Sequence, residues 1–438
     1  MNWKRTAWRG MAVALLLCAA LVWDNFADGV DVSPSAPVTA QGLNALASSD
    51  IASALRARGQ YLVQAGNCIA CHTARGGSPL SGGRGIETPF GTVYSSNLTP
   101  DPATGIGQWN AAHFWRALHH GRSRDGRLLA PAFPFNHTTL ISRDDADAMF
   151  AWLHSLPAVV HPTPRHTLQW PLGTQPALAV WRSLYFKAGL YESQKKQSDE
   201  WNRGAYLVQG LGHCAACHSA RNALGASGAV DDLSGGKMAV VNWTAPSLVD
   251  NAQTGLGQAS LEEIQTLLRT GQAGSHHTSG PMAEVVRFST QYLSAADLRA
   301  MAVYLKSQVR PSPAAVPIAA QRAVQSDTAT RGAQIYDKQC AQCHGDQGQG
   351  EPGAYPALVG HRGVLQTDTT NLVQNVLYGG YPPATAGNPR PYGMPPFILT
   401  LDDQDIAAVL THVRSQWGNR AAQVTPLEVN RIRASQGS

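Results

Sequence analysis

Six cysteines stand in three short strings, each with two cysteines flanking two residues and followed at once by histidine. They are CIACH (Cys68, Cys71, His72), CAACH (Cys214, Cys217, His218) and CAQCH (Cys340, Cys343, His344). Two thiols at that spacing can form thioethers to one porphyrin, and the adjoining imidazole is then held under the iron; this is the c-type haem attachment pattern. Three strings predict three covalently bound haem c groups, with His72, His218 and His344 as proximal ligands. The seventh cysteine, Cys18, lies in an N-terminal leader.

A low-spin haem that only exchanges electrons needs a second axial ligand, usually a Met thioether, which raises the potential, or a second imidazole. The chain has seven Met. Met394, in PYGMPPF, falls between His344 and a closing helix, where the ligand of a third haem belongs. Met282, in SGPMAEV, holds the corresponding place for the second, eleven residues after the glycine of LLRTG. Met238 comes too early to replace it, and Met301 lies in a closing helix, where Met fills core. The first string breaks the pattern. Aligning Gly121 of LHHG with Gly271 of LLRTG brings Phe133 to within one residue of the Met282 position, and phenylalanine cannot ligate iron. Met149 follows Asp145 by four residues, as Met301 follows Asp297, and so reads as core. His137 is the nearest imidazole and the expected ligand; His113, His119, His120, Met149 and an open iron are the alternatives. With His137 bound, the first haem should have the lowest potential. Each proximal imidazole also needs a carbonyl for its ring N–H; Pro356 in YPAL is the expected partner in the third site, with Pro100 and Pro246 as its counterparts. Arg84 and Lys237 could offset haem propionates or simply be exposed bases after a turn.

The elements that position these residues recur three times. RGQYLVQAGN (58 to 67), RGAYLVQGLGH (203 to 213) and RGAQIYDKQ (331 to 339) precede the strings, with apolar residues three or four apart, as on one helix face. SRDDADAMFAWLHSL (142 to 156), SAADLRAMAVYLKSQ (294 to 308) and TLDDQDIAAVLTHVRSQ (400 to 416) close the repeats. Each opens with Ser or Thr followed three residues later by Asp, approximating a capping box. The expected fold class is mainly α: three tandem cytochrome c domains at 51–160, 196–310 and 327–418, with loop-rich linkers. Between them lie a packed linker (161–195, containing WRSLYFKAGLY) and a Pro/Ala linker (311–326); a C-terminal tail (419–438) follows. The first two domains share LSGG followed by a base, N-x-T before Pro (Asn97 to Pro100, Asn242 to Pro246) and TG-[IL]-GQ, which points to a duplication.

Composition agrees with small loop-rich domains: 438 residues, 14% charged, 42 Gly and 27 Pro. At roughly 100 to 200 residues per domain, the length allows two to four. A net charge of +5, with no basic block longer than Lys195–Lys196, gives no footprint for nucleic acid. Residues 1–30 read as a signal peptide or membrane anchor, with a basic start (Lys4, Arg5, Arg9) and an apolar run from Met11 to Trp23. The expected location is the periplasmic side of a bacterial inner membrane. Leu17 is a poor residue before a lipidated cysteine, so Cys18 reads as an ordinary leader residue.

From about residue 51 to 418 the chain resembles the three-haem cytochrome subunits of membrane-associated periplasmic dehydrogenases. The resemblance is carried by the three strings, by TPFGTVYSSNLTPDPATGIGQW (88 to 109) and by AYLVQGLGHCAACHSARNALG (205 to 225). It implies a carrier with no catalytic residue of its own. Electrons would come from a dehydrogenase catalytic subunit, cross three haems, and reach ubiquinone or a terminal oxidase. Relatives serve pyrroloquinoline-quinone alcohol dehydrogenases, flavin-dependent sugar and gluconate dehydrogenases, and molybdenum hydroxylases acting on aldehydes or N-heterocycles. PAFPFNH (131 to 137) and GPMAEVV (280 to 286) look most like the molybdenum branch, since the alcohol branch typically has Met where Phe133 stands. The rival class is a peroxidase-type enzyme at an open first haem.

Overall fold

The computed structural model describes residues 49–435 apart from 239, 252–255 and 311–324. The leader with Cys18 and most of the Pro/Ala linker lie outside the described residues. The chain divides into two compact units, one ending at Glu192 and one beginning at Ser193. Both are mainly helical, and among the described residues the strands form only two-stranded hairpins.

In the first unit, α1 (Ser49–Ala65) leads into the first string, a hairpin of β1 (Gly85–Thr88) and β2 (Gly91–Tyr94) follows, and then come α2 (Ala111–His120), α3 (Arg143–Leu153) and α4 (Gln175–Tyr185). The second unit repeats the plan. Helix α5 (Asp199–Tyr206) continues as a π-helical turn to Leu211, β3 (Gly236–Met238) pairs with β4 (Trp243–Ala245), and α6 (Leu261–Thr270) runs into a short hairpin of β5 (Gln272–Ala273) and β6 (His276–His277). Helices α7 (Pro281–Phe288) and α8 (Ala295–Gln308) complete that copy. The third copy comprises α9 (Ser326–Gln339), α10 (Thr370–Tyr378), α11 (Asp403–Ser415) and α12 (Pro426–Ala434).

The Arg-Gly pair that opens each repeat builds the same helix crossing three times. A Cβ on Gly59 would lie 2.0 Å from the Ala148 carbonyl oxygen, on Gly204 2.0 Å from that of Ala300, and on Gly332 2.4 Å from that of Ala408. Only glycine lets the leading helix approach the closing helix so closely. The arginine just before it locks the crossing: Arg58 pairs with Asp145, Arg203 with Asp297 at 2.8 Å, and Arg331 with Asp405 at 2.7 Å. The caps follow the sequence pattern in two copies, where Ser142 and Ser294 accept the N–H of Asp145 and Asp297. In the third copy the cap is Asp402 rather than Thr400, because the helix starts two residues later than a Thr400 cap requires, at Asp403, and Asp402 exchanges hydrogen bonds with Asp405. Four residues after each paired aspartate stand Met149, Met301 and Val409, 2%, 3% and 3% exposed. One core position is thus filled by Met twice and by Val once.

The segment after the first repeat makes backbone hydrogen bonds to that repeat. Thr167 and Gln169 donate backbone hydrogen bonds to Thr92 and Phe90, and α4 buries Leu178, Ala179 and Arg182. The segment from residue 419 is not a tail. Helix α12, capped reciprocally by Thr425 and Glu428, buries Val429 and Ile432 in the core of the third repeat, and Arg433 joins Asp403 at 2.7 Å.

Candidate functional site

Each attachment string forms one turn of helix, at Cys68–Cys71, Ala215–His218 and Ala341–His344. Among the described residues the six cysteines of the strings form no disulfide. Burial pushes the leading thiols up, Cys68 and Cys214 to about 12 and Cys340 to about 11. A disulfide oxidoreductase lowers the pKa of its leading cysteine, whereas burial here favours the neutral thiol.

The three imidazoles share one geometry. Nδ1 of His72 lies 2.7 Å from the Ser96 carbonyl, that of His218 2.8 Å from Pro246, and that of His344 2.9 Å from Pro356. A carbonyl only accepts, so each Nδ1 carries the proton and Nε2 is the nitrogen with a lone pair for a metal. Burial also lowers the pKa of all three rings, favouring the neutral form that ligates. Two thiols and a tautomer-fixed neutral imidazole on one turn fit covalent haem with proximal histidine ligation.

Pro356 and Pro246 are the expected carbonyls, but Pro100 is not the first. Leu98 donates to Leu80 just as Leu248 donates to Leu233, which places Ser96, not Pro100, opposite Pro246. Asn97 then matches Ser247, and the two N-x-T segments are not equivalent. Sequence reading also missed three glycines. The N–H groups of Gly82, Gly235 and Gly350 donate to the carbonyls of His72, His218 and His344 at 2.7, 2.7 and 2.8 Å. All three have positive φ, and a Cβ would lie 2.5 to 2.7 Å from the backbone of the loop that holds the imidazole. The repeated LSGG was the signal for two of them. Arg84 donates to the Ala70 carbonyl at 2.6 Å, inside the first string. Arg221 does the same to Ala216 at 2.7 Å in the second. Lys237, at the position of Arg84, is exposed.

On the distal side, Met394 is half-buried against the third core, its backbone paired with Gly380. Met282 is half-buried near the start of α7. Met238 sits in β3 opposite Trp243, and Met301 is core. In the first repeat, Leu129 donates to Gly121 as Thr278 does to Gly271, so the loop in between is one residue longer and Phe133 falls in register with Met282. Among the alternatives, Met149 shares the core position of Met301 and Val409. His113 caps α2 reciprocally with Asn110, as Glu263 caps α6 with Ser260. His119 stacks on Trp115 and points Nδ1 at the Thr139 carbonyl, at a position that Arg269 exposes to solvent in the second repeat. His137 lies on the turn Phe135–Thr138 and is 2% exposed, whereas Met282, Met394 and the three string histidines are half-buried. That turn is braced from behind: Phe135 packs edge-on against Phe186 at 4.9 Å, and Arg182 lies over both rings.

The cytochrome c family profile matches residues 56–157 and 329–417. The cytochrome c subunit of the quinone alcohol dehydrogenase of Gluconacetobacter polyoxogenes is 38% identical over 399 residues, covering 88% of this chain and 85% of that one. The chain belongs to the cytochrome c family. The gluconate 2-dehydrogenase cytochrome c subunit of Pantoea cypripedii is 36% identical over 89% of this chain and 92% of its own. A nicotinate dehydrogenase subunit of Pseudomonas putida is 38% identical over 92% of this chain, which spans 33% of that longer protein. Membership makes covalent haem c the cofactor and electron transfer, not substrate chemistry, the role of this cytochrome. The profile leaves the middle copy unmatched, whereas the long relatives cover most of the chain. Among the described residues no helix is long and apolar enough to cross a membrane.

Proposed function

We propose that this cytochrome carries electrons from a dehydrogenase catalytic subunit through three covalent haems to ubiquinone or a terminal oxidase, on the periplasmic side of the bacterial inner membrane. The observation that carries the reading is the threefold recurrence of one geometry: an attachment turn whose histidine gives its Nδ1 proton to a carbonyl. When bound, each haem supplies an iron that takes up or gives away one electron at a time. The chain supplies the rest. Cys68 and Cys71, Cys214 and Cys217, and Cys340 and Cys343 would anchor the three groups, with His72, His218 and His344 as iron ligands. Met282 and Met394 would supply the second ligands of the second and third irons. His137 would bind the first, supported by the register of the loop: Phe133 stands at the Met282 position, Met149 is core, His113 caps its helix, and His119 stacks on Trp115 with Nδ1 at the Thr139 carbonyl.

For the partner we favour a molybdenum hydroxylase acting on aldehydes or N-heterocycles. PAFPFNH and GPMAEVV support it, as does the relative named as part of a nicotinate dehydrogenase. The second reading, a quinone alcohol or flavin gluconate dehydrogenase, has relatives of similar identity behind it. Intact mass tests the haem load: three haems above the processed chain are expected, and two would overturn the three-site reading. Purifying the complex and following haem reduction on adding nicotinate or an aldehyde tests the partner. Reduction by ethanol or gluconate alone would favour the second reading.

A further inference from the structure

Two imidazoles outside the haem ligands meet where the second and third repeats touch. Nε2 of His361 lies 3.2 Å from Nδ1 of His277, and the rings stack at 5.0 Å with a 25° tilt. The proton positions follow from the neighbours. Nδ1 of His361 accepts the N–H of Gly363 at 3.1 Å, so its proton is on Nε2, which donates to His277. His277 ends the hairpin that leads to Met282, and His361 follows the loop whose Pro356 carbonyl holds His344. Beside the pair, the Arg362 N–H crosses to the Ser275 carbonyl at 3.2 Å and its guanidinium to Gln258 at 2.7 Å.

We propose that His277 and His361 form an acid-opened latch between the second and third haem sites, holding the loop that presents Met282 against the loop that orients His344. The inference rests on the three-haem reading. Protonating His277 on Nδ1 removes the acceptor, and protonating His361 on Nδ1 expels the Gly363 N–H. Either puts positive charge beside His276, His344 and Arg362, and Arg414 lies behind the same helical turn through the Val364 carbonyl. Other hydrogen bonds between these repeats join Thr244 with Asn371 and Asp368, Asn242 with Gln374, Ile432 and Ser435, Ser279 with Asn375, and Gln291 with the 384–386 loop. Those are amides, hydroxyls and a carboxylate, Asp368, whose pKa burial raises but Thr370, Thr244 and Lys237 hold low on balance. Among these contacts the imidazole pair is the one that titrates as acid is added from neutrality. Burial, then His277, His276 and His344, lower His361 from the ordinary 6.5 to about 3; burial and His276 lower His277 as well. A lowered imidazole stabilises the closed state fully above the ordinary value. That stabilisation is lost as pH falls from 6.5 towards 3, because the open state binds more protons.

Hydrogen exchange by mass spectrometry on the full haem-loaded protein tests the latch. Below pH 6.5, protection of segments 272–278 and 360–365, corrected for intrinsic exchange, should fall together by about tenfold per pH unit, the effect of one linked proton. His361→Ala should lower protection at pH 7.5 to the acid level and remove the pH dependence. His277→Asn combined with His361→Gln keeps an amide acceptor and an amide donor, and should stay protected while losing the pH dependence. Electron exchange between the second and third haems should slow with acid in the native protein and not in this double variant. Protection that is independent of pH in the native protein, or a pH dependence that survives in the double variant, would overturn the latch. Haem load measured on the same samples separates its failure from failure of the three-haem reading.

Discussion

The first and second repeats share their backbone hydrogen bonds around the attachment turn and around the loop that follows the α2 or α6 helix, yet they differ in the residues of that loop. In both, a glycine N–H meets the proximal histidine carbonyl, a leucine returns to the LSGG loop, and a left-handed glycine ends the helix before the distal loop. The second then offers Met282 on a helix of eight residues. The first offers Phe133 and a turn of four residues, Phe135–Thr138, clamped by Arg182 and Phe186. In the function proposed above, one scaffold would fix the proximal side and the distal loop would set the potential. An imidazole donates more strongly to ferric iron than a thioether, so the first haem should lie lowest.

The largest expected effect comes from removing the ligand that distinguishes the two. His137→Ala should leave one haem high-spin and able to bind carbon monoxide, with covalent attachment intact, whereas His113→Ala, His119→Ala and His120→Ala should not. Met282→Ala should abolish one of two Met-to-iron bands and lower one potential, and Met301→Ala and Met238→Ala should leave both bands. His137 is the sharpest point of this contrast, because the second-repeat residues it could match, Val286 or Ser289, are themselves buried.

A smaller effect tests the part the repeats share. Gly204→Ala and Gly59→Ala both drive a Cβ onto a backbone oxygen that cannot rotate away. Each should cost about 3 kcal/mol, the upper end for overpacking, read as a lowered midpoint in denaturant at constant m-value. Arg203→Ala should cost about 1 kcal/mol, since the pair is partly exposed. Arg58→Ala, with a guanidinium more exposed than that of Arg203, should cost no more.

These differences mark how far the sequence could be read. The attachment turns were legible because thioether chemistry needs contiguous residues, and the repeated leading and closing helices showed in their spacing. The Arg-Gly pairs were visible as repeats, but their role was not, since a sequence does not say which backbone oxygen a glycine faces. Pro100 was the wrong carbonyl because turn lengths around the β1–β2 and β3–β4 hairpins differ, and only the Leu98 and Leu248 hydrogen bonds restore the register. Thr400 was the wrong cap because Asp402 competes for the same role two residues later. The helix at Pro426–Ala434 was read as a tail because it lies beyond the last attachment repeat, although Val429 and Ile432 sit at helical spacing. The distal ligand of the first site was the least legible, since one extra residue before Phe133 shifts every alignment made from Gly121.

A redox titration of the native protein, followed in the visible and near-infrared, tests the central contrast most directly. Three one-electron steps are expected. The two at higher potential should each remove one Met-to-iron band, and the lowest should remove none, with no carbon monoxide binding by the reduced protein. Three Met-to-iron bands, or one haem that is high-spin and binds carbon monoxide in the native state, would contradict the account.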